Sequence, residues 1–112
     1  MKKIEAIIRL ESLNPVKNAL SELGYPGMTI TDVKGHGKQK GLEQVWHGGV
    51  YKVEFLPKIK IEIVVVDADV SMIVNAIVRE ARTGNIGDGK IFIYPVENAV
   101  RIRTGEYGNN AI

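Results

Sequence analysis

Stretches of β-branched and alternating apolar residues predict four strands along the chain. They lie at residues 3–9, 28–33, 60–65 and 90–96. The first and third strands share a pattern, because Lys-Ile-Glu-Ala-Ile-Ile at the first is echoed by Lys-Ile-Glu-Ile-Val-Val at the third. The echo indicates that the chain consists of two halves with the same order of elements.

A helix is predicted between the two strands of each half. In the first half, Asn14 and Pro15 are typical of an N-cap and a first helical turn, and Gly24 is placed to end the helix. In the second half, Asp67 or Asp69 can cap the helix. Each helix has an apolar stripe at three- and four-residue spacing: Val16, Ala19, Leu20 and Leu23 in the first, and Val70, Ile73, Val74, Ile77, Val78 and Ala81 in the second.

Two such halves in tandem predict an α+β fold of the ferredoxin-like βαββαβ kind, with one antiparallel sheet and both helices on one face. The chain has 112 residues, the length of a single domain, so residues 1–112 are assigned to one. A composition of 45% hydrophobic and 25% charged residues predicts a packed core.

Between the second and third strands, residues 35–57 form a longer connection than a hairpin requires, which predicts a functional loop. Half of it, fully extended, reaches about 36 Å, against a radius of gyration of about 13 Å for a domain of this size. From Lys34 to Lys60 six lysines stand against two glutamates, so this stretch is basic, although the net charge of the whole chain is only +2. The loop is predicted to leave the body and contact another molecule.

The sequence has no cysteine, which excludes disulfides and thiolate sites and suits a reducing compartment. The apolar run at residues 61–66 is too short to span a bilayer, and the first residues do not resemble a signal-peptide core. A cytoplasmic location is expected.

Glycines and a lysine cluster at residues 83–90, Thr-Gly-Asn-Ile-Gly-Asp-Gly-Lys. Ile91 stands where a P-loop needs Ser or Thr, and the segment joins a helix to a strand rather than a strand to a helix, so an ordinary P-loop is excluded. The glycines can still form a backbone nest for an anion. The alternative is a flexible helix-to-strand turn.

Arg101, Ile102 and Arg103 alternate, which predicts a short strand with both guanidinium groups on one side and Ile102 packed on the other. Guanidinium groups suit phosphates, and the alternative is a charged edge strand. Together with Lys90 and the glycine segment, these arginines point to a nucleotide polyphosphate as a common ligand.

The long loop contains His36 and His47, whose spacing fits no metal motif, and Trp46, which can stack on a base or anchor a protein contact. Tyr51 offers an accessible phenol to a modifying enzyme. No Ser/His/Asp set or paired carboxylates emerge, so no catalytic machinery is identified.

The chain resembles the PII nitrogen-regulatory signal proteins from end to end. The resemblance is carried by Val-Lys-Gly-His-Gly-Lys-Gln-Lys-Gly at residues 33–41 and by the glycine–lysine segment, with further matches at residues 2–9, 27–29, 55–58 and 101–105. It implies a homotrimer of ferredoxin-like subunits with nucleotide sites between neighbours. It also implies that the long loop is the family's T-loop, at about residues 37–55.

The resemblance further implies which residues bind the ligands of a non-enzymatic sensor of ATP, ADP and 2-oxoglutarate. Those implied for the nucleotide are Ile7, Thr29, Gly35, Gly37, Lys38, Glu62, Val64, Gly87, Asp88, Gly89 and Lys90, with Arg101 and Arg103 coming from the adjacent subunit. Those implied for 2-oxoglutarate, which binds beside Mg-ATP, are Arg9, Gln39, Lys40, Gly41, Lys58 and Gly87, with Gln39 also a ligand of Mg²⁺.

The implied targets are nitrogen-assimilation proteins: an ammonium channel, enzymes or transcription regulators. Trp46 and His47 replace the family's usual Tyr-Arg pair at the loop tip, Lys38 replaces a frequent arginine, and Tyr51 occupies a position that is uridylylated in some relatives. Two other classes of function remain open: an enzyme that cleaves ATP or an acyl phosphate on the same fold, and a nucleic-acid-binding module that uses the basic loop.

Overall fold

The computed structural model describes the backbone at residues 1–40 and 51–112, and the side chains at residues 1–35 and 55–112. The main elements are β1 (Lys2–Ile8), α1 (Leu13–Glu22), β2 (Thr29–Lys40), β3 (Tyr51–Val65), α2 (Val70–Ala81) and β4 (Gly89–Pro95). Short 3₁₀ turns precede both helices, at Leu10–Ser12 and Asp67–Asp69, and a third follows near the C-terminus, at Gly108–Ala111.

The strands of the described residues form one sheet in the order β2-β3-β1-β4. Every neighbouring pair is antiparallel, with β1 between β3 and β4. This is the predicted ferredoxin-like arrangement, in which β3 separates the two strands of the first half. The fold predicted from the periodicity is therefore confirmed.

Side chains of alternate strand residues point to the two faces of the sheet, and the helices cover only one of them. The covered face buries Ile4, Ala6 and Ile8 of β1 together with the alternate residues of β3, which are Ile59, Ile61, Ile63 and Val65. The predicted helix stripes complete this core through Val16, Leu20, Ile73, Ile77 and Ala81, joined by Ala76. The opposite face is open and carries the charged alternate residues.

Both helices have the predicted position, but α1 begins before its predicted N-cap and neither helix has a side-chain capping hydrogen bond. Helix α1 starts one residue before Asn14 and has Ser12 at its N-cap, so the assignment of Asn14 as N-cap is wrong. Asp69 lies at the N-cap of α2 without a side-chain capping hydrogen bond. Its carboxylate instead accepts a hydrogen bond from the Tyr25 hydroxyl, and Asp67 pairs with the N-terminal amine at 2.9 Å. Both carboxylates therefore bond tertiary partners and not the backbone amides at the start of α2.

Gly24 ends α1 as predicted. Its φ of +94° is the left-handed conformation that favours glycine. The amide of Tyr25 bonds the Leu20 carbonyl at 3.0 Å, and the Gly24 amide bonds the Ser21 carbonyl at 3.0 Å, which together make a Schellman motif. The motif turns the chain toward β2.

The connection predicted at residues 35–57 is largely two paired strands. Backbone pairing of β2 with β3 continues through Gly35↔Leu56 to Lys40↔Tyr51. Because β-branched residues are sparse in this stretch, no strand is predicted there, and the predicted end of the second strand at residue 33 and start of the third at residue 60 are wrong. The predicted long connection between these strands is present, with its two sides paired. Residues 41–50, including Trp46 and His47, lie outside the described residues.

No helix in the part of the chain that the structure describes is long and apolar enough to cross a membrane.

We expect Ile73→Ala to lower the free energy of unfolding by about 2–5 kcal/mol, because the fully buried side chain leaves a cavity under α2. Met72→Ala, one residue away and 39% exposed, serves as the matched control and should cost under about 1 kcal/mol. Urea unfolding at a fixed protomer concentration measures both. Equal losses would contradict the assignment of the core face.

Candidate functional site

The glycine segment between α2 and β4 is folded around one carboxylate. Asp88 accepts hydrogen bonds from the amides of Thr83 at 2.8 Å and Gly84 at 2.9 Å, and from the Thr83 hydroxyl at 2.5 Å. The Arg9 Nε donates a fourth, at 3.2 Å. Since these donors converge on one side chain, Asp88 fixes the shape of the turn.

The pKa of Asp88 lies well below its usual range. The hydrogen bonds from Thr83 are the main cause, and those from Gly84 and Arg9 add to them. The resemblance implies that Asp88 is a nucleotide ligand, but the structure directs its carboxylate to donors of its own segment and to Arg9. Its position in the site is therefore that of an anchor.

In this segment Gly89 has no room for a side chain, and Gly87 has little. A Cβ at Gly89 would lie 1.8 Å from the Ile7 carbonyl oxygen, and a Cβ at Gly87 would lie 3.2 Å from a guanidinium nitrogen of Arg9. Both residues also have positive φ, +111° and +102°. The close approach at Gly89 sets the segment against β1 and starts β4 beside it, with Lys90 opposite Ile7.

Two cations lie along the same segment. Arg9 donates to the Ile86 carbonyl at 2.9 Å, and Lys58 donates to the Gly87 carbonyl at 2.5 Å. Burial and the nearby Arg9 lower the pKa of Lys58. The Lys58 stem also runs past Gly35, where its Cγ would lie 3.0 Å from a Cβ. The structure thus brings together four of the predicted residues: Arg9, Gly35, Lys58 and Gly87.

A cleft of about 630 Å³ lies beside the start of β2. It is lined by Lys3, Gly24, Tyr25, Pro26, Gly27, Met28, Thr29, Glu62, Ile63, Val64 and Ile112. The cleft thus brings together Thr29, Glu62 and Val64, three of the residues that the resemblance implies for the nucleotide. Ile7 points to the same open face of the sheet, diagonally next to Glu62, and it connects the cleft to Lys90.

The wall of the cleft contains an ion pair that the sequence analysis did not identify. Lys3 Nζ lies 3.1 Å from a carboxylate oxygen of Glu62, and both residues line the cleft. The hydrogen bond that Lys3 donates to Glu62 raises the pKa of Lys3. The Lys-x-Glu pattern shared by the two echoing strands was a usable signal, since it places alternating charges on the open face of both.

Arg101 and Arg103 are in a turn and not in a strand. The Gly105 amide bonds the Arg101 carbonyl at 2.7 Å, and the Arg101 amide bonds the Glu106 carbonyl at 2.9 Å, closing a hairpin. Ile102 is 99% exposed, so the prediction that it packs under a strand is wrong. Among the residues that the structure describes, its side chain packs against no core. Arg101 pairs with Glu106 at 3.0 Å, and within the described residues no hydrogen bond or salt bridge joins either arginine to the glycine segment.

The remaining predicted residues are described less fully. For Gly37, Lys38, Gln39, Lys40 and Tyr51 the structure gives the backbone, in the paired parts of β2 and β3. Gly41 and His47 lie outside the described residues. Across the described side chains, no cluster of three or more histidine, aspartate or glutamate residues could hold a metal ion.

We expect Asp88→Asn to destabilise the protein near neutral pH, because an amide cannot accept all the hydrogen bonds that the carboxylate accepts. Since folding lowers the pKa of Asp88, its charged form contributes stability fully above the pKa of the unfolded chain, about 3.9, and this contribution is lost as the pH falls further. The difference in unfolding free energy between wild type and variant should therefore be constant from about pH 7 to 5 and shrink below about pH 4. Urea unfolding at each pH measures it.

Asp32→Asn, the same change on the exposed surface of β2, is the control and should change stability by less than about 0.5 kcal/mol at any of these values. If the difference in unfolding free energy between wild type and Asp88→Asn grew as the pH falls, the anchoring role of Asp88 would be contradicted.

Comparison with known proteins places these features in one family. The family model of Nitrogen regulatory protein P-II matches residues 1–106. The chain is 55% identical to the Nitrogen regulatory protein P-II of Rhodospirillum rubrum, and 54% identical both to that of Pasteurella multocida and to Nitrogen regulatory protein P-II 1 of Escherichia coli K12. Each match covers all 112 residues and the whole of the relative. The chain belongs to the P-II family of nitrogen regulatory proteins.

Proposed function

We propose that this member of a nitrogen regulatory family is a non-enzymatic sensor that binds ATP or ADP, and 2-oxoglutarate together with Mg-ATP. The observation that carries the proposal is the continuity between the cleft and the glycine segment. Ile7 stands opposite both Lys60 and Lys90, so an apolar residue of the open face links the wall of Glu62 and Thr29 to the backbone amides after Gly87. A base in the cleft would direct its phosphates toward this segment.

The phosphates are proposed to lie on the amides of the glycine segment and on the start of the arm, which is the paired extension of β2 and β3 formed by residues 34–40 and 51–57. Positive φ at Gly87 and Gly89, together with the anchored Asp88, gives a preformed turn of the kind whose amides form anion-binding nests. Lys90 adds charge. The proposed phosphate ligands are Gly35, Gly37, Lys38, Gly87, Gly89 and Lys90.

Arg101 and Arg103 are proposed to reach the phosphates from the adjacent subunit of a homotrimer. The hairpin that presents them exposes Ile102 almost completely, so this apolar side chain is available for contact with a neighbouring subunit. Arg101, which bonds Glu106 through one guanidinium nitrogen, can exchange this partner for a phosphate, which accepts forked hydrogen bonds from a guanidinium group.

The 2-oxoglutarate site is proposed at Arg9 and Lys58, with Gln39 and the backbone of Lys40 and Gly41. Arg9 and Lys58 lie at the same carbonyl-bearing edge of the glycine segment, and their mutual repulsion contributes to the lowered pKa of Lys58. An anionic ligand would relieve that repulsion. Mg²⁺ would supply positive charge between the phosphates and the keto acid, with the Gln39 amide oxygen as the protein's ligand.

The T-loop is proposed to carry the signal to a nitrogen-assimilation target. Gly35 and Lys58 stand side by side at the base of the paired strands β2 and β3. A ligand that changes the position of Lys58 therefore acts directly on the base of the arm, and the population of arm conformations becomes the readout. Tyr51, at the outer end of the pairing, is the proposed modification site.

Calorimetry should detect ATP binding to the wild-type protein, and 2-oxoglutarate binding only when Mg-ATP is present. Lys58→Ala should abolish the response to 2-oxoglutarate and change ATP affinity by less than about threefold, because it removes a charge that serves the second ligand. Lys17→Ala, an exposed lysine on α1, is the control and should leave both unchanged. Binding of neither ligand by the wild type would refute the sensor function.

Mixed assemblies can test whether each nucleotide site is shared between subunits. Sedimentation should give a mass of three times 12.3 kDa. Lys90→Ala and Arg103→Ala should each lose ATP binding, whereas trimers refolded from a mixture of the two should recover part of it, because some sites then combine an intact glycine segment with an intact arginine hairpin. Each variant refolded alone is the control. Failure of the mixture to recover binding would show that one chain supplies the whole site.

A further inference from the structure

Two glutamates face each other on the open side of the sheet. Glu5 of β1 is directly opposite Glu62 of β3 in the antiparallel register, and neither residue is fully exposed. Like charges at directly opposite positions destabilise a sheet. The arrangement therefore depends on other groups that hold the two carboxylates apart and compensate their charge.

Four side chains, one from each strand of the sheet, surround this pair. Lys3 is bonded to Glu62 at 3.1 Å, and its ammonium lies 4.9 Å from the centre of the Tyr94 ring. The Tyr94 hydroxyl donates to Glu5 at 3.3 Å, and Lys60 Nζ lies 3.9 Å from the other oxygen of Glu62. The edge strand contributes the uncharged Thr29 opposite Glu62. Lys3 is thus the shortest-range partner of Glu62 and lies between it and the aromatic ring.

Only some of these groups reach the cleft. Lys3 and Glu62 are both among its lining residues, together with Thr29, while Lys60, Glu5 and Tyr94 are not. The charge of Lys3 is stabilised by Glu62 and by the ring face. An ionised carboxylate such as that of Glu62 can only accept hydrogen bonds. What this wall offers to a ligand is accordingly a fixed acceptor, Glu62, beside the Thr29 hydroxyl.

We propose that Lys3 is a positioning residue that holds the Glu62 carboxylate at the wall of the cleft, and that this carboxylate selects a purine that carries an exocyclic amino group. The inference rests on the proposed adenine-nucleotide function and adds to it the reason for the choice of base. The amino group of adenine donates to the carboxylate, and a purine without it leaves the acceptor unpaired in a partly desolvated cleft. Without Lys3, repulsion from Glu5 moves the carboxylate away from this position.

The test compares two nucleotides that differ only in that amino group: ATP and purine riboside 5′-triphosphate. Their phosphates, sugar and ring nitrogens are the same, so the ratio of their dissociation constants isolates the contact with the amino group. For the wild type, calorimetry should give a preference for ATP of about tenfold or more, the range expected for a hydrogen bond to a charged group. General damage to the fold would weaken the binding of both nucleotides and leave the ratio of their dissociation constants unchanged.

Lys3→Gln should reduce this preference for ATP at least about threefold, mainly by weakening the binding of ATP. Lys3→Arg, which keeps the charge, should preserve it. Lys60→Gln is the matched control, because it removes the same charge from the same carboxylate at the longer distance and outside the cleft; the ratio should stay within about twofold. In a Glu62→Ala background, Lys3→Gln should change the ratio no further, since Lys3 acts through Glu62.

A wild-type ratio near one, an unchanged ratio in Lys3→Gln, or a further fall in the Glu62→Ala background would overturn the inference and leave the sensor function standing. If the wild type bound neither ATP nor purine riboside 5′-triphosphate, both the inference and the proposed sensor function would be overturned.

Discussion

The candidate site depends on the antiparallel pairing of β1 with both of its neighbours. That register places Ile7 opposite Lys60 on one side and Lys90 on the other. It also brings Gly89 so close to the Ile7 carbonyl that no side chain fits there. A shift by one residue would turn every alternating side chain to the other face of the sheet, burying the charged residues and exposing the isoleucines. The core and the site are therefore determined by the same set of backbone hydrogen bonds.

The fold could be predicted from the sequence because its signals are local and repeated. The helix stripes, the terminating Gly24 and the echo between the first and third strands each follow from the order of residues over a short window. The helix caps could not be predicted, because Asp67 and Asp69 bond the N-terminal amine and Tyr25, partners that are far away in sequence. A local pattern contains no information about such competition.

In the candidate site, too, the features with a local sequence signal could be predicted, and those that depend on distant contacts could not. Residues 83–90 were recognised from composition, and the structure explains their glycines by positive φ and close approach. The inward orientation of Asp88 and the contacts of Arg9 and Lys58 with the loop carbonyls depend on how distant segments meet. The turn at Arg101 was mistaken for a strand because alternation of charged and apolar residues was the only available signal. Lys3 was overlooked since its partner lies 59 positions away along the chain.

The paired extension of β2 and β3 has a mechanical consequence. From Lys34↔Pro57 to Lys40↔Tyr51 the two strands stay in register, a length of about 20 Å at the usual rise per residue. A ladder of this kind resists bending far better than two separate peptides, so its outer end follows the orientation of its base. A small tilt where Lys58 lies beside Gly35 is multiplied by that length, so a change of contact at the sheet would produce a larger displacement at the outer end of the arm.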